Sequence, residues 1–220
     1  MAPDLIAPNY RLAWTYRLWD GSPERARIAL ESMPGGSHPR AEFSWLDQEL
    51  YEREYEAALD RLGAAPVSVF ELPRQLLPTS LAECECLLAL GQPEDAHRAC
   101  ENAREFLDGS LKEQPDDPRI HSALGKTYAL LGRKAEAIRH GEEAVTIWPV
   151  SKDAFDGVYF EIYLAEIYAL AGEPELAIAK LEYLLSIPSL TSAADLRFNP
   201  KWDPLRDHPR FQALLEEYDN

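Results

Sequence analysis

Apolar residues recur at helical spacing along most of the chain, and short polar turns break the pattern at intervals. Stretches ending Leu87-Leu88-Ala89-Leu90, Tyr128-Ala129-Leu130-Leu131 and Tyr168-Ala169-Leu170-Ala171 precede such turns. The sets Ala99/Ala103/Phe106, Ile138/Ala144/Ile147 and Ile178/Leu181/Leu184/Leu185 follow them. Spacings of three and four place each set on one face of a helix, so the chain reads as a series of helix–turn–helix hairpins. Strand-like alternation is weak. Residues 67–70 come nearest and are too short to predict a strand, and the three prolines of residues 64–78 predict an extended connection. Residues 151–171 read as one long helix carrying Phe155, Tyr159, Phe160, Tyr163 and Tyr168.

The turns share a grammar. Residues 20–26, 52–58, 90–96, 131–137 and 171–177 each end in Ala, and four of them hold Gly five positions earlier; the second has Arg53 there instead. Glycine stops a helix because it takes the left-handed cap conformation without a Cβ clash. Pro23, Pro93 and Pro174 then open the next helix, where a missing N–H does no harm. Glu24, Glu94, Asp95 and Glu175 favour the positive end of that helix. The alanines are small because two helices must cross there. They stand at 26, 58, 96, 137 and 177, so the repeat length varies and extra residues lengthen helices or loops.

Composition then narrows the function. Hydrophobic residues make up 46% and charged residues 27% of 220, as in folded soluble proteins. The formal net charge of −16 leaves no basic stripe for phosphates, so a nucleic-acid partner is not expected. No apolar run approaches the roughly 18 residues that span a bilayer. The N-terminus has neither a basic nor an apolar leader region, so a cytoplasmic location is expected. Three cysteines, Cys84, Cys86 and Cys100, do not suggest a disulfide framework and fit a reducing compartment.

Residues 118–151 resemble a tetratricopeptide repeat in length and register. Leu124, Gly125, Tyr128, Gly132, Ala137, Ala144 and Pro149 fall where that family has its signature residues, while Gly141 replaces the usual aromatic and predicts a shallow gap between the helices. The units around Leu164/Tyr168/Gly172/Ala177 and Leu87/Gly91/Ala96 are similar; those near Trp14/Ala26 and Trp45/Ala58 are degenerate. The resemblance implies an all-α, right-handed superhelical solenoid of about five hairpins plus a C-terminal capping helix, in one domain spanning 1–220. Degenerate repeats take 8–66, better-matched repeats 78–187, and the cap 188–220, where Trp202, Leu205, Phe211, Leu214 and Leu215 would cover the last apolar face. The tail resembles the closing segment of bacterial multidomain signalling and regulatory proteins.

The resemblance also implies a concave groove lined by the first helix of each hairpin. Its positions fall on Leu81, Glu85 and Leu88, then Arg119, Ser122, Lys126 and Ala129, then Tyr159, Ile162 and Glu166. The expected role is a scaffold that holds a peptide or helix of a partner protein, neutral or basic given the acidity; self-association is compatible with it. The Lys/Arg/Asn clamp of chaperone-binding relatives has no counterpart among the asparagines. No catalytic residue, metal or cofactor is expected: no P-loop, dinucleotide fingerprint or nucleophile elbow frames the scattered histidines. Cys84 and Cys86 diverge by roughly 200° on a helix, so a zinc site with His97 and Cys100 is disfavoured against small core cysteines; a redox pair of Cys84 and Cys100 is the other reading. An enzyme with an unfamiliar site and an RNA-binding solenoid are the competing functional classes.

Overall fold

The structure, a computed structural model, describes residues 6–33 and 38–218. Five helical hairpins follow one another: α1 (Ile6–Asp20) with α2 (Pro23–Glu31), α3 (Pro39–Tyr51) with α4 (Tyr55–Ala64), α5 (Thr79–Ala89) with α6 (Pro93–Glu113), α7 (Pro118–Leu130) with α8 (Lys134–Ile147), and α9 (Gly157–Leu170) with α10 (Pro174–Ser186). Then come α11 (Ala193–Phe198), a 3-10 helix (Pro200–Leu205) and α12 (Pro209–Glu217). This is an all-α helical-repeat solenoid closed by capping helices.

The turn grammar holds residue by residue. Gly21, Gly91, Gly132 and Gly172 sit at φ between 69° and 72°, and Arg53, in the same place of the second hairpin, sits at 60°. The cap geometry is therefore set by the hairpin, and Arg53 tolerates a conformation that costs an L-residue roughly 1–2 kcal/mol. The Gln92, Arg133 and Glu173 amides each donate to a carbonyl five residues back at 2.8–2.9 Å, which closes the cap. All five turn alanines are fully buried.

Two local expectations change. Residues 64–78 are more than an extended link: β1 (Val69–Leu72) and β2 (Gln75–Pro78) form an antiparallel hairpin across Pro73-Arg74, with Leu72 opposite Gln75. The three prolines misled because Pro78 lies at a strand end and Pro73 in the turn, where neither removes a ladder hydrogen bond within the pair. The helix expected over 151–171 begins only at Gly157. The preceding residues form turns, in which the Asp153 carboxylate accepts from the Phe155 and Asp156 amides at 2.8 and 2.9 Å.

Gly141 leaves no gap. Leu164 and Ile167 of α9 fill the space; a Cβ at Gly141 would lie 2.9 Å from Leu164 Cδ1 and 3.0 Å from Ile167 Cδ1. Helices α7 and α8 cross so closely that a Cβ at Gly125 would stand 3.1 Å from the Ala137 carbonyl oxygen and 2.7 Å from Ile167 Cδ1. Backbone cannot yield as a side-chain end can. Gly125→Ala should therefore lower stability by about 1–3 kcal/mol, read as a drop in the urea midpoint; an unchanged midpoint would show that the crossing has slack.

Cys84 and Cys100 are joined in a disulfide that ties α5 to α6, with Cα atoms 5.2 Å apart. That corrects the preference for small unbridged core cysteines: Cys84 and Cys100 fall at the positions where the two helices of a repeat hairpin touch, so the pair held as the other reading is the one that is bridged. Cys86 is free and buried, as a small core residue. Burial pushes its thiol up to about 12.

The array curls until its ends meet. Helix α1 packs on α11, and the Ser192 hydroxyl donates to the Leu18 carbonyl at 2.5 Å. Arg53 pairs with Asp203 at 2.8 Å. The Phe198 ring lies against Gly21 and leaves no room for a Cβ there. The accessible surface of 10700 Å² is close to the roughly 10,200 Å² of a compact monomer of this mass.

Candidate functional site

Helices α5, α7 and α9 each stand first in their hairpin and pack in sequence along the array. Of the groove positions named above, Leu81, Ser122, Ala129, Ile162 and Glu166 are buried; Glu85, Arg119, Lys126 and Tyr159 are half-buried; Leu88 is exposed. Three of them meet. Lys126 Nζ on α7 lies 2.8 Å from Glu85 Oε1 on α5 and 2.7 Å from Glu166 Oε1 on α9, linking three repeats through one ammonium. Burial pulls the Lys126 pKa down, but the Glu166 and Glu85 carboxylates outweigh it and hold the ammonium above ordinary lysine. Burial raises Glu85, against the pull of Lys126.

The β-hairpin lies along this face. Strand β2 packs on α5 and α7, and the Arg119 guanidinium donates to the Leu72 carbonyl at 3.1 Å. Gln75, Leu76 and Leu77 close a small cavity of about 40 Å³ over Ser122, Lys126 and Glu166. The tip reaches the start of α9: Arg74 pairs with Asp156, and its guanidinium stands 4.7 and 4.9 Å from the Phe155 and Tyr159 ring centroids. Phe70 and Leu77 are core residues, in one cluster with Phe43, Leu46 and Leu81, so the hairpin is an integral wall.

Beyond the tip the face stays open. A cavity of about 480 Å³ lies between Pro73-Arg74, the segment 114–119, and the α8–α9 junction with Trp148, Asp156 and Phe160. Its volume is in the range of ligand sites, and its walls combine prolines and aromatics with a few charges. Four of those charges are satisfied locally in two pairs: Arg119 grips Asp117 at 2.5 Å, and Arg74 pairs with Asp156. Burial would raise Asp117, yet hydrogen bonds from the Arg119 side chain and from the Arg119 and Ile120 amides hold it below the usual carboxylate range. Asp116 is exposed and makes no ion pair among the described residues. The site thus offers a neutral apolar floor and one unpaired carboxylate, without a nucleophile–base pair. No group of three or more metal-ligating side chains occurs among the described residues.

A histidine pair braces the cavity's wall. His121 Nε2 lies 3.0 Å from the Pro115 carbonyl oxygen, His121 Nδ1 lies 3.1 Å from His140 Nδ1, and His140 Nε2 lies 3.0 Å from Arg139 Nη2. The Tyr128 ring stacks on His140 at 5.4 Å.

Reading the sequence found Arg119 and Tyr159 but missed Arg74, Asp116, Trp148, Asp156 and Phe160. All but Phe160, which stands in the first turn of α9, come from a β-turn and two inter-repeat loops, which repeat periodicity does not mark. The available signal was Pro73 between two short apolar runs, a proline of the kind that opens a turn.

Comparison with known proteins agrees with this architecture. Residues 118–143, most of the α7/α8 hairpin, match the tetratricopeptide repeat family model. No curated protein matches the chain in sequence. The crystal structure of TTC0263, a thermophilic tetratricopeptide repeat protein of Thermus thermophilus, superposes with a TM-score of 0.52 at 20% identity, over 97% of this chain and 98% of that one. The chain therefore carries a tetratricopeptide-type repeat at its centre and shares the fold of a solved protein built from such repeats.

Proposed function

We propose that the chain is a protein-interaction module that holds a segment of a partner protein at the open end of its concave face, where the hairpin tip meets α7 and α9. The observation that carries this reading is the cavity of about 480 Å³, whose lining residue Arg74 stands over the Phe155 and Tyr159 rings. The remaining groove positions act beneath it, as the support that Glu85, Lys126 and Glu166 give across three repeats. The unpaired Asp116 and the net charge of −16 favour a neutral or basic partner segment. The reading places the protein in the cytoplasm, where the Cys84–Cys100 bridge, at most 1% exposed, is shielded from thiol exchange. The tail's resemblance to bacterial signalling proteins would make the bound segment part of a regulatory assembly.

A photo-crosslinking amino acid at position 159 tests the assignment, with the same probe at Tyr183, an exposed residue of α10, as the control. The Tyr159 probe should capture a partner that the Tyr183 probe does not. Asp116→Lys should then weaken capture at least about tenfold, a loss near 1.4 kcal/mol, while the circular dichroism spectrum stays helical. Equal capture from both positions would remove the site from this face.

A further inference from the structure

We propose that Phe155, Asp156 and Tyr159 form a receptor for a cationic side chain, filled by the chain's own Arg74, and that an arginine of the partner segment takes the place of Arg74 on binding. The proposal rests on the reading of this face as the binding site and names the chemistry that the site takes. Phe155 and Asp156 precede α9, and Tyr159 stands in its first turn. The two rings meet at 74° with centroids 6.3 Å apart, so they form a corner. The Arg74 guanidinium stands in that corner, 4.7 and 4.9 Å from the centroids, and its Nε donates to Asp156. Two aromatic faces and one carboxylate are a favourable surround for a guanidinium.

The receptor is built without Arg74. The Asp153 carboxylate accepts from the Phe155 and Asp156 amides at 2.8 and 2.9 Å, which fixes both residues from within their own loop. Asp156 stands at the N-cap of α9, yet its side chain accepts from no amide of that helix. An aspartate at this place ordinarily does so; this one is turned to a cation instead. The hairpin, in turn, is held without the Arg74 side chain: Phe70, Leu76 and Leu77 are buried, and the Leu72 carbonyl accepts from Arg119 at 3.1 Å. The side chain can therefore leave while β1 and β2 stay. Its grip is also partial. Only Nε of Arg74 donates among the described residues, whereas an arginine unconstrained by a tight turn can offer Asp156 two parallel N–H groups. Phe155 is 60% exposed, so the corner is open to such a group. The charges leave room for it. Three carboxylates, Asp116, Asp117 and Asp156, line the cavity against two guanidiniums, Arg74 and Arg119. Arg119 holds Asp117, so a displaced Arg74 still has the unpaired Asp116 in the same cavity as a counter-ion.

A capped Gly-Arg-Gly peptide, with capped Gly-norleucine-Gly as control, tests the receptor without a partner, read by the ring proton signals of Phe155 and Tyr159. An occupied receptor binds only in the fraction of molecules where it is free, so Arg74→Ala should bind the arginine peptide at least about tenfold more tightly than the native chain does. The norleucine peptide should move neither ring, Arg74→Ala/Asp156→Asn should lose the gain, and the urea midpoint of Arg74→Ala should match the native one. Equal affinity in the native and Arg74→Ala chains, or equal shifts with both peptides, would overturn the exchange. So would an Arg74→Ala chain that binds neither peptide, or one that fails to fold, since Arg74 would then be a structural brace. A missing Tyr159 crosslink with the peptide result intact would count against the binding site alone, and a crosslink without peptide binding against the exchange alone.

Discussion

Trp202→Ala should lower the unfolding free energy by about 3–5 kcal/mol and detach the C-terminal cap. Trp202 is fully buried, in one cluster with Leu181, Leu184, Leu196 and Phe211, so truncation opens a cavity between the last repeat and its cover. The indole Nε1 also donates to Asp195 Oδ2 at 3.1 Å. Asp195 is itself buried and, among the described residues, keeps Asn199, at 2.9 Å, and the more distant Lys201 as side-chain partners. Its desolvation adds to the loss. Because α11 rests on α1, the damage should spread to the first hairpin and lower the cooperativity of unfolding. Trp202→Phe keeps most of the packing and should cost about half as much, whereas Trp19→Ala, at an 81% exposed position, should cost under about 0.5 kcal/mol. Urea titrations followed by circular dichroism compare the three. A loss below about 1 kcal/mol for Trp202→Ala would mean that the cap is not what shields the last repeat.

Lys126→Met should be nearly as damaging at neutral pH, for an electrostatic reason. It removes one cation from between two carboxylates that face each other across three repeats. Breaking a buried pair costs about 3–5 kcal/mol; since Lys126 and Glu85 each keep 22% of their side-chain surface in water, about 2–3 kcal/mol is the better expectation. The sign with pH is distinctive. Without the ammonium, burial and repulsion from Glu166 leave the folded-state pKa of Glu85 raised above its unfolded value with nothing to pull it back. A carboxylate raised in this way binds a proton more readily in the folded state, so the variant gains stability as pH falls through the raised value. The gap to the native chain should thus narrow between pH 7 and 5. Glu85→Gln/Lys126→Met/Glu166→Gln should recover most of the loss at pH 7, since no buried charge is left unpaired. A single variant within about 0.5 kcal/mol of the native chain at pH 7 would show the triad to be solvated.

Local grammar was legible wherever one residue type has one physical use. Glycine at a left-handed cap, proline at a helix start and alanine at a crossing marked the hairpin turns, and even Arg53 fell into the pattern that its neighbours imposed. The cap residues were legible because a Pro-rich stretch followed by apolar periodicity has little to do but cover an end. Gly141 was misjudged: the missing aromatic is replaced by Ile167 and Leu164 from the next hairpin, a substitution across 23–26 residues of sequence that periodicity within one hairpin does not register.

What the sequence determined by itself was the unit: paired amphipathic helices, their order, their turns and the closing segment, all consequences of short-range sterics and helical spacing. Tertiary structure alone decided how those units meet. The curl that joins α1 to α11, the hairpin laid on α7, the Cys84–Cys100 bridge and the cavity at the repeat junction all depend on distances between residues far apart in sequence. Packing and charge settle such distances only once every helix has found its neighbours.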